Sequence, residues 1–237
     1  MSSGVIKKIE RREHAARQVA NLVKGQEEAV AEALTLRLSP LLEAGEAMPD
    51  VRLLVRLLVR EEQQRILAVS EADKAHRSEV SDDAPGIQRR DEATSRGRQL
   101  IISTRNMVAV TFGAGYAEQL GLTGGSPRYP REVLAALAHI ASQWRAHGGS
   151  APPPIEGALG LDVSVFLPRF EAAAQELLQA MDHVDQEDAE AAVTMSRRQA
   201  ALEDFDDTHR DVAQVINGLT RLSGLSNLKM LSISPEA

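Results

Sequence analysis

The sequence predicts an all-α protein: an elongated antiparallel helical bundle of five or six helices, with a faint trace of two pseudo-repeated halves. Apolar residues recur at three- and four-residue steps through most of the 237 positions, the spacing that lines one face of an α-helix. The composition is 43% hydrophobic but only 3% aromatic, and Ala, Leu and Val supply most of the remainder. Such small and unbranched side chains let helices approach closely. Glycine and proline punctuate the pattern in short segments, and one of these suggests a cut into an N-terminal half, 1–122, and a C-terminal half, 123–237.

Residues 5–43 read as the first helix, with Ala16, Val19, Val23, Val30 and Ala33 on one face. Gly45 and Pro49 end it, and Asp50 is a favourable N-cap for the next. The second helix opens on VRLLVRLLVR, residues 51–60, and is expected to run to about Val80. Its Arg52, Arg56 and Arg60 drift only ~40° per step and form one narrow stripe. The remaining sides are apolar, so this helix is expected to be buried on most of its circumference, as a central bundle member or an oligomer interface would be. Arginines four apart repel one another slightly. Water or the carboxylates of an adjacent helix should therefore compensate, and the acidic stretch 182–211, within or between chains, is the obvious source. These three arginines are the candidate interaction residues.

SDDAPG, residues 81–86, is expected to turn or kink the chain, because Pro85 lacks a backbone donor and disfavours helix at Ala84. A third helix is expected from Ile87 to about Gln119, with Leu100, Thr104, Met107, Thr111 and Ala114 along one side. GLTGGSPRYP (121–130) reads as a loop. Arg131 to His147 reads as a short helix with the stripe Val133, Leu137, Ile140 and Trp144. GGSAPPPIEGALG (148–160) is a linker stiffened by polyproline II.

The C-terminal third is the most regular. Phe166, Phe170, Ala173, Leu177, Ala180 and Val184 keep four-three spacing, as do Ala201, Phe205, Thr208, Val212, Val215, Leu219 and Leu222. Each stretch spans about three heptads, enough for coiled-coil-like packing. The acidic residues around 182–190 are where a turn between the two would fall, although no Gly or Pro marks it. GYAEQLGL (115–122) parallels GLTRLSGL (218–225), and DVRLLV (50–55) parallels DVSVFL (162–167). These likenesses are the trace of duplication, discounted because Leu and Gly are common.

Several function classes are disfavoured. The chain has no cysteine, which removes disulfides, zinc-thiolate sites and cysteine nucleophiles. Its N-terminus lacks the apolar core of a secretory signal, and no apolar run approaches the ~18–20 residues that span a bilayer. A cytoplasmic address is the expectation. Residues 1–24 carry six basic side chains against two acidic, and residues 181–211 carry ten acidic against three basic. The two segments could pair within one chain or between neighbours.

The sharpest candidate for chemistry is a metal site using Asp73, His76 and Glu79, spaced three apart, with Asp206 and His209 repeating the pattern. A carboxylate and an imidazole on neighbouring helical turns can share a metal. Two-metal bundles, however, use Glu-x-x-His pairs, and this chain has the shorter Asp. A polar helix end, capped by Asp83, outweighs the metal reading. Gly113-Ala114-Gly115 lacks the third glycine and the preceding strand of a nucleotide loop, so close helix packing is its expected role. No G-x-S-x-G elbow occurs. No catalytic residue, cofactor or small-molecule substrate is therefore assigned.

Nucleic acid is disfavoured by the net charge of −7 and by a basic arm without aromatics to stack on bases. The leading expectation is a non-enzymatic structural or protein–protein interaction module that self-associates, with a second copy or another protein as partner. The runner-up is a membrane-active helical protein of the pore-forming or remodelling kind, in which residues 100–122 would meet the bilayer; Arg105, Asn106 and Glu118 favour a core helix there. A metal-dependent bundle enzyme is the third reading.

Overall fold

The computed structural model describes residues 3–235 apart from 123, 159 and 226. Helices dominate and no strand occurs among the described residues: α1 Ser3–Leu38, α2 Val51–Phe112, α3 Ala114–Gln119, α4 Pro130–His147 and α5 Phe166–Ser223. Short 3-10 turns at Ser39–Leu41, Gly148–Ser150 and Val163–Val165 join them. The protein is an all-α helical bundle.

Its contacts group into two units. Unit 1 is Met1–Ser78 with Ala192–Ala237, and unit 2 is Glu79–Ala191. The division runs through α2 and α5, whereas the cut read from the sequence lies in the loop after α3. Each long helix therefore contributes to both units.

The helix ends follow local chemistry. Asp50 caps α2, its carboxylate accepting from the Leu53 N–H at 2.9 Å. Asp162 accepts from the Ser164 N–H at 2.9 Å and from the Ser164 hydroxyl at 2.6 Å ahead of α5. These bonds hold the Asp162 carboxyl below its ordinary range. Pro130 occupies the first position of α4, where a missing N–H costs nothing, and Glu132 reaches back to the Arg128 and Tyr129 N–H groups.

No turn forms at either expected place. Pro85 lies inside α2, which continues through the 81–86 segment without ending. A proline costs its helix one hydrogen bond and crowds the carbonyl four residues back, but both flanks are strong helices, so continuity prevails. The second long helix and the third are thus one element. Likewise α5 runs unbroken through 182–190; acidic residues alone do not stop a helix. Gly113 does end α2, with a φ of 93° that other residues rarely adopt. Its role is a chain break and not the close helix packing expected of it. Close packing belongs to Gly97, where an added Cβ would come within 3.0 Å of Val133 and Leu137.

Unit 2 builds its core from the 79–112 part of α2, from α3 and α4, and from the 166–191 part of α5. The α4 stripe is buried as read: Val133, Leu137, Ile140 and Trp144 are all at most 3% exposed. The Trp144 ring lies 5.5 Å from both Phe166 and Phe170, and its indole N–H donates to the Val163 carbonyl at 3.0 Å. The α2 face is Ile101, Thr104, Val108 and Thr111. Met107 and Ala114, expected on that stripe, are exposed; the packed face sits about one position away from the one read.

Unit 1 is a three-helix arrangement of α1 with the parts of α2 and α5 that fall in it. Val19 and Val23 of α1 meet Val55 of α2 and Val212, Ala213 and Ile216 of α5. A second cluster joins Ile9, Ala16, Val69 and Phe205. No described helix is long and apolar enough to cross a membrane.

Candidate functional site

Buried polar couples link the helices of unit 1. Arg12 of α1 grips Asp206 of α5 through two bonds, Nε–Oδ1 at 2.7 Å and Nη2–Oδ2 at 2.6 Å. Asp73 of α2 forms an ion pair with Arg198 of α5 at 3.0 Å and with its own helix neighbour Arg77 at 2.6 Å. Asp73 and Arg198 are both buried. Deeper still, Glu62 of α2 meets His209 of α5, Oε1 to Nδ1, at 2.6 Å. Their side chains are 1% and 2% exposed. Removing such groups from water is costly, so each couple persists only because its partner is held in place.

The Glu62–His209 couple has the most chemical content. Burial pushes the Glu62 carboxyl above its ordinary range, and the His209 hydrogen bond only partly opposes this. The ring's second nitrogen, Nε2, lies on the side away from that carboxyl. That Nε2 is buried and has no hydrogen-bond partner among the described residues. Phe205 stacks on the imidazole, centroids 5.8 Å apart, and fixes the plane of the ring.

His209 lines a cavity of about 280 Å³ whose wall includes Lys7, Arg11 and His14 of α1, while Glu62 does not reach it. The chain beyond α5 contributes Leu231 and Ser232 to the same wall. Buried Asn217 positions this tail with a pair of bonds, donating from Nδ2 to the Leu231 carbonyl at 3.0 Å and accepting from its N–H at 2.8 Å.

The five metal candidates are distributed among other partners. Asp73 is paired with arginines, His76 Nδ1 lies 3.0 Å from the Thr194 hydroxyl, Asp206 holds Arg12, and His209 holds Glu62. Glu79 belongs to unit 2, where burial first and then Glu190, Asp83 and Asp82 raise its pKa. Among the described residues no group of three or more His, Asp or Glu side chains is placed to share a metal ion.

Two of the three arginines of the row, Arg52 and Arg56, find carboxylates, but on α1. Arg52 pairs with Glu28 at 2.8 Å and Arg56 with Glu27 at 2.7 Å. The Arg56 bonds hold the Glu27 carboxyl below its ordinary range. Within one chain the expected link to 182–211 is not made: that stretch sends Asp206 to Arg12 and Asp204 to Arg65 instead. Within one chain the burial of VRLLVRLLVR is only partial. Val55 is buried, but Leu53, Leu54 and Leu57 are 49%, 45% and 49% exposed. A helix in a three-helix arrangement touches two neighbours, so one side is left without cover.

Sequence reasoning missed Glu62, Asn217 and the cavity wall. Glu62 had a signal: the inward positions Val55 and Val69 lie seven residues to either side, which puts a carboxylate on the core face. Asn217 had one too, set among Ala213, Ile216 and Thr220. Compared with known protein families, with curated proteins and with solved structures, the chain matches none of them.

Proposed function

We propose that this chain is a non-enzymatic interaction module that pairs with a second copy of itself through the outward face of α2 in its opening turns. The observation that carries the reading is a seam: Leu53, Leu57, Arg60, Gln64 and Leu67 follow four-three-four-three spacing. Its leucines are 49%, 49% and 62% exposed, and half-exposed Leu54 widens it. This is the spacing by which two helices pack side by side. Scattered exposed leucines are ordinary, but Leu53, Leu54 and Leu57 adjoin on one face and make an apolar patch of the kind that marks an interface.

Leucines occupy both ends of the seam, so an antiparallel copy brings Leu53 opposite Leu67 and makes a self-complementary two-fold contact. Arg60 forms no ion pair among the described residues, and its long stem can lie over the apolar strip with the guanidinium in water. Light scattering should give a dimer whose population rises with concentration, and Leu53→Glu with Leu57→Glu should return it to a monomer with unchanged helix content. A wild-type chain that stays monomeric throughout overturns the reading. Dye release from lipid vesicles that the same two substitutions abolish, without a dimer, would favour the membrane-active alternative.

A further inference from the structure

We propose that the groove of unit 1 between α1 and α5 is a docking site for an extended segment of a partner protein, anchored by one leucine-like side chain. The chain's own tail sits there as a competing occupant and shows what the groove recognises. Gly224, at a φ of 75°, turns the chain at the end of α5, and the tail doubles back until Leu231 meets Asn217, 14 positions earlier. The Asn217 amide donates to the Leu231 carbonyl and accepts from its N–H, the double exchange that a neighbouring strand makes with one residue. Such main-chain bonds hold any sequence, and the side-chain pocket beside them makes the choice. Here that pocket is the cluster of Val19 and Val23 on α1 with Val212, Ala213 and Ile216 on α5, which Leu231 joins.

The tail is held chiefly at one point. Leu231 is buried, while Met230 and Ile233 to either side of it are half-exposed. Its described residues form no helix or strand, and the Leu228 N–H reaches the Leu225 carbonyl only at 3.5 Å. A segment with so few internal bonds opens at low free-energy cost. The tail also underfills its groove. A space of about 280 Å³ lies beside it toward Lys7 and His14 of α1, and one of about 580 Å³ toward Asn21, Leu22 and Gly25. Leu231 and Ser232 wall both. Gly25 has no atom within 4 Å of where a Cβ would stand, so α1 is open there. Met230 borders the larger space, and a segment with the same leucine anchor but a bulkier residue at that place buries more apolar area. The groove is separate from the outward seam of α2 and does not rest on self-association.

The test is fluorescence anisotropy of a labelled peptide with the tail sequence, residues 225–235, added to the full chain. Leu231→Asp in the chain empties the groove, because a carboxylate is costly to bury in an apolar pocket. Leu231→Ala is the milder substitute should the first variant lose helix content. The peptide is expected to bind either variant at one per chain, and wild type at least about tenfold more weakly, since a tethered tail competes at high effective concentration. A peptide carrying Leu231→Asp should not bind. Adding Asn217→Ala to the opened chain should weaken binding about tenfold, through loss of the two main-chain bonds. A peptide carrying Met230→Trp should bind more tightly than the tail sequence. No binding to either opened variant, wild type binding as tightly as they do, no effect of Asn217→Ala, or no gain from Met230→Trp would each overturn the proposal. So would a mixed dimer of wild type with the Leu231→Asp chain that persists after Leu53→Glu with Leu57→Glu, which would assign the groove to the tail of a second copy.

Discussion

Six of the seven aromatic residues fall in unit 2, whereas unit 1 has Phe205 alone and instead buries Arg12, Glu62, Asp73, Arg198 and His209 between its helices. The contrast separates two tasks. Unit 2 gains stability from non-directional burial of large rings and branched chains around Trp144. Unit 1, whose apolar contacts are mostly Val and Ala, uses charged and hydrogen-bonded couples that add little net stability but penalise any other register. Stability and specificity are thus drawn from different parts of one chain.

The largest effect should come from unit 2. Phe170→Ala removes a side chain with no exposure and should lower the unfolding free energy by about 3–5 kcal/mol, read by urea titration. Pro85→Ala should act in the opposite direction, raising stability by roughly 1–3 kcal/mol, because it restores a helix hydrogen bond. A loss instead would mean that the proline ring makes a contact worth more than that bond.

Unit 1 should respond in a different manner. Glu62→Leu leaves His209 Nδ1 buried without its partner and should cost roughly 1–3 kcal/mol. Adding His209→Phe should recover most of that loss, since an apolar pair of similar volume replaces a buried polar one. A double variant as unstable as the single would show that the couple contributes stability and not only specificity, and the comparison between the units would fail.

The pH dependence sharpens the same point. Burial raises the Glu62 pKa in the folded chain, so folding favours its protonated form. That contribution is complete below the ordinary carboxylate range and is lost as pH rises through the elevated folded value. Wild type should therefore lose urea midpoint relative to Glu62→Gln over that interval, and parallel curves would refute the assignment. Smallest of all, Arg56→Ala should leave the midpoint unmoved, because exposed ion pairs are screened by water and salt.

Much of the helical pattern was legible because it is local. The α4 stripe, the Asp50 cap and the Phe166–Phe170–Leu177 face follow from spacing along one helix. The breaks were harder to read. Pro85 and the acidic 182–190 run are ordinary stop signals whose cost is set against the length and packing of their flanks, which no short window contains. The metal pattern misled for a related reason: Asp73 and His76 are neighbours on a turn, yet their partners are Arg198 and Thr194 on another helix.

The sequence by itself determined that this is an all-α chain, where α2, α4 and α5 begin, and which face of α4 is apolar, because hydrogen bonds and side-chain periodicity act within four residues. The tertiary structure alone decided that Glu62 meets His209 across 147 positions, that Arg52 and Arg56 meet carboxylates of α1, and that Asn217 holds the tail at Leu231. Those outcomes depend on which helix lies beside which. That choice is set by the combined packing of all the faces and appears in none of them separately.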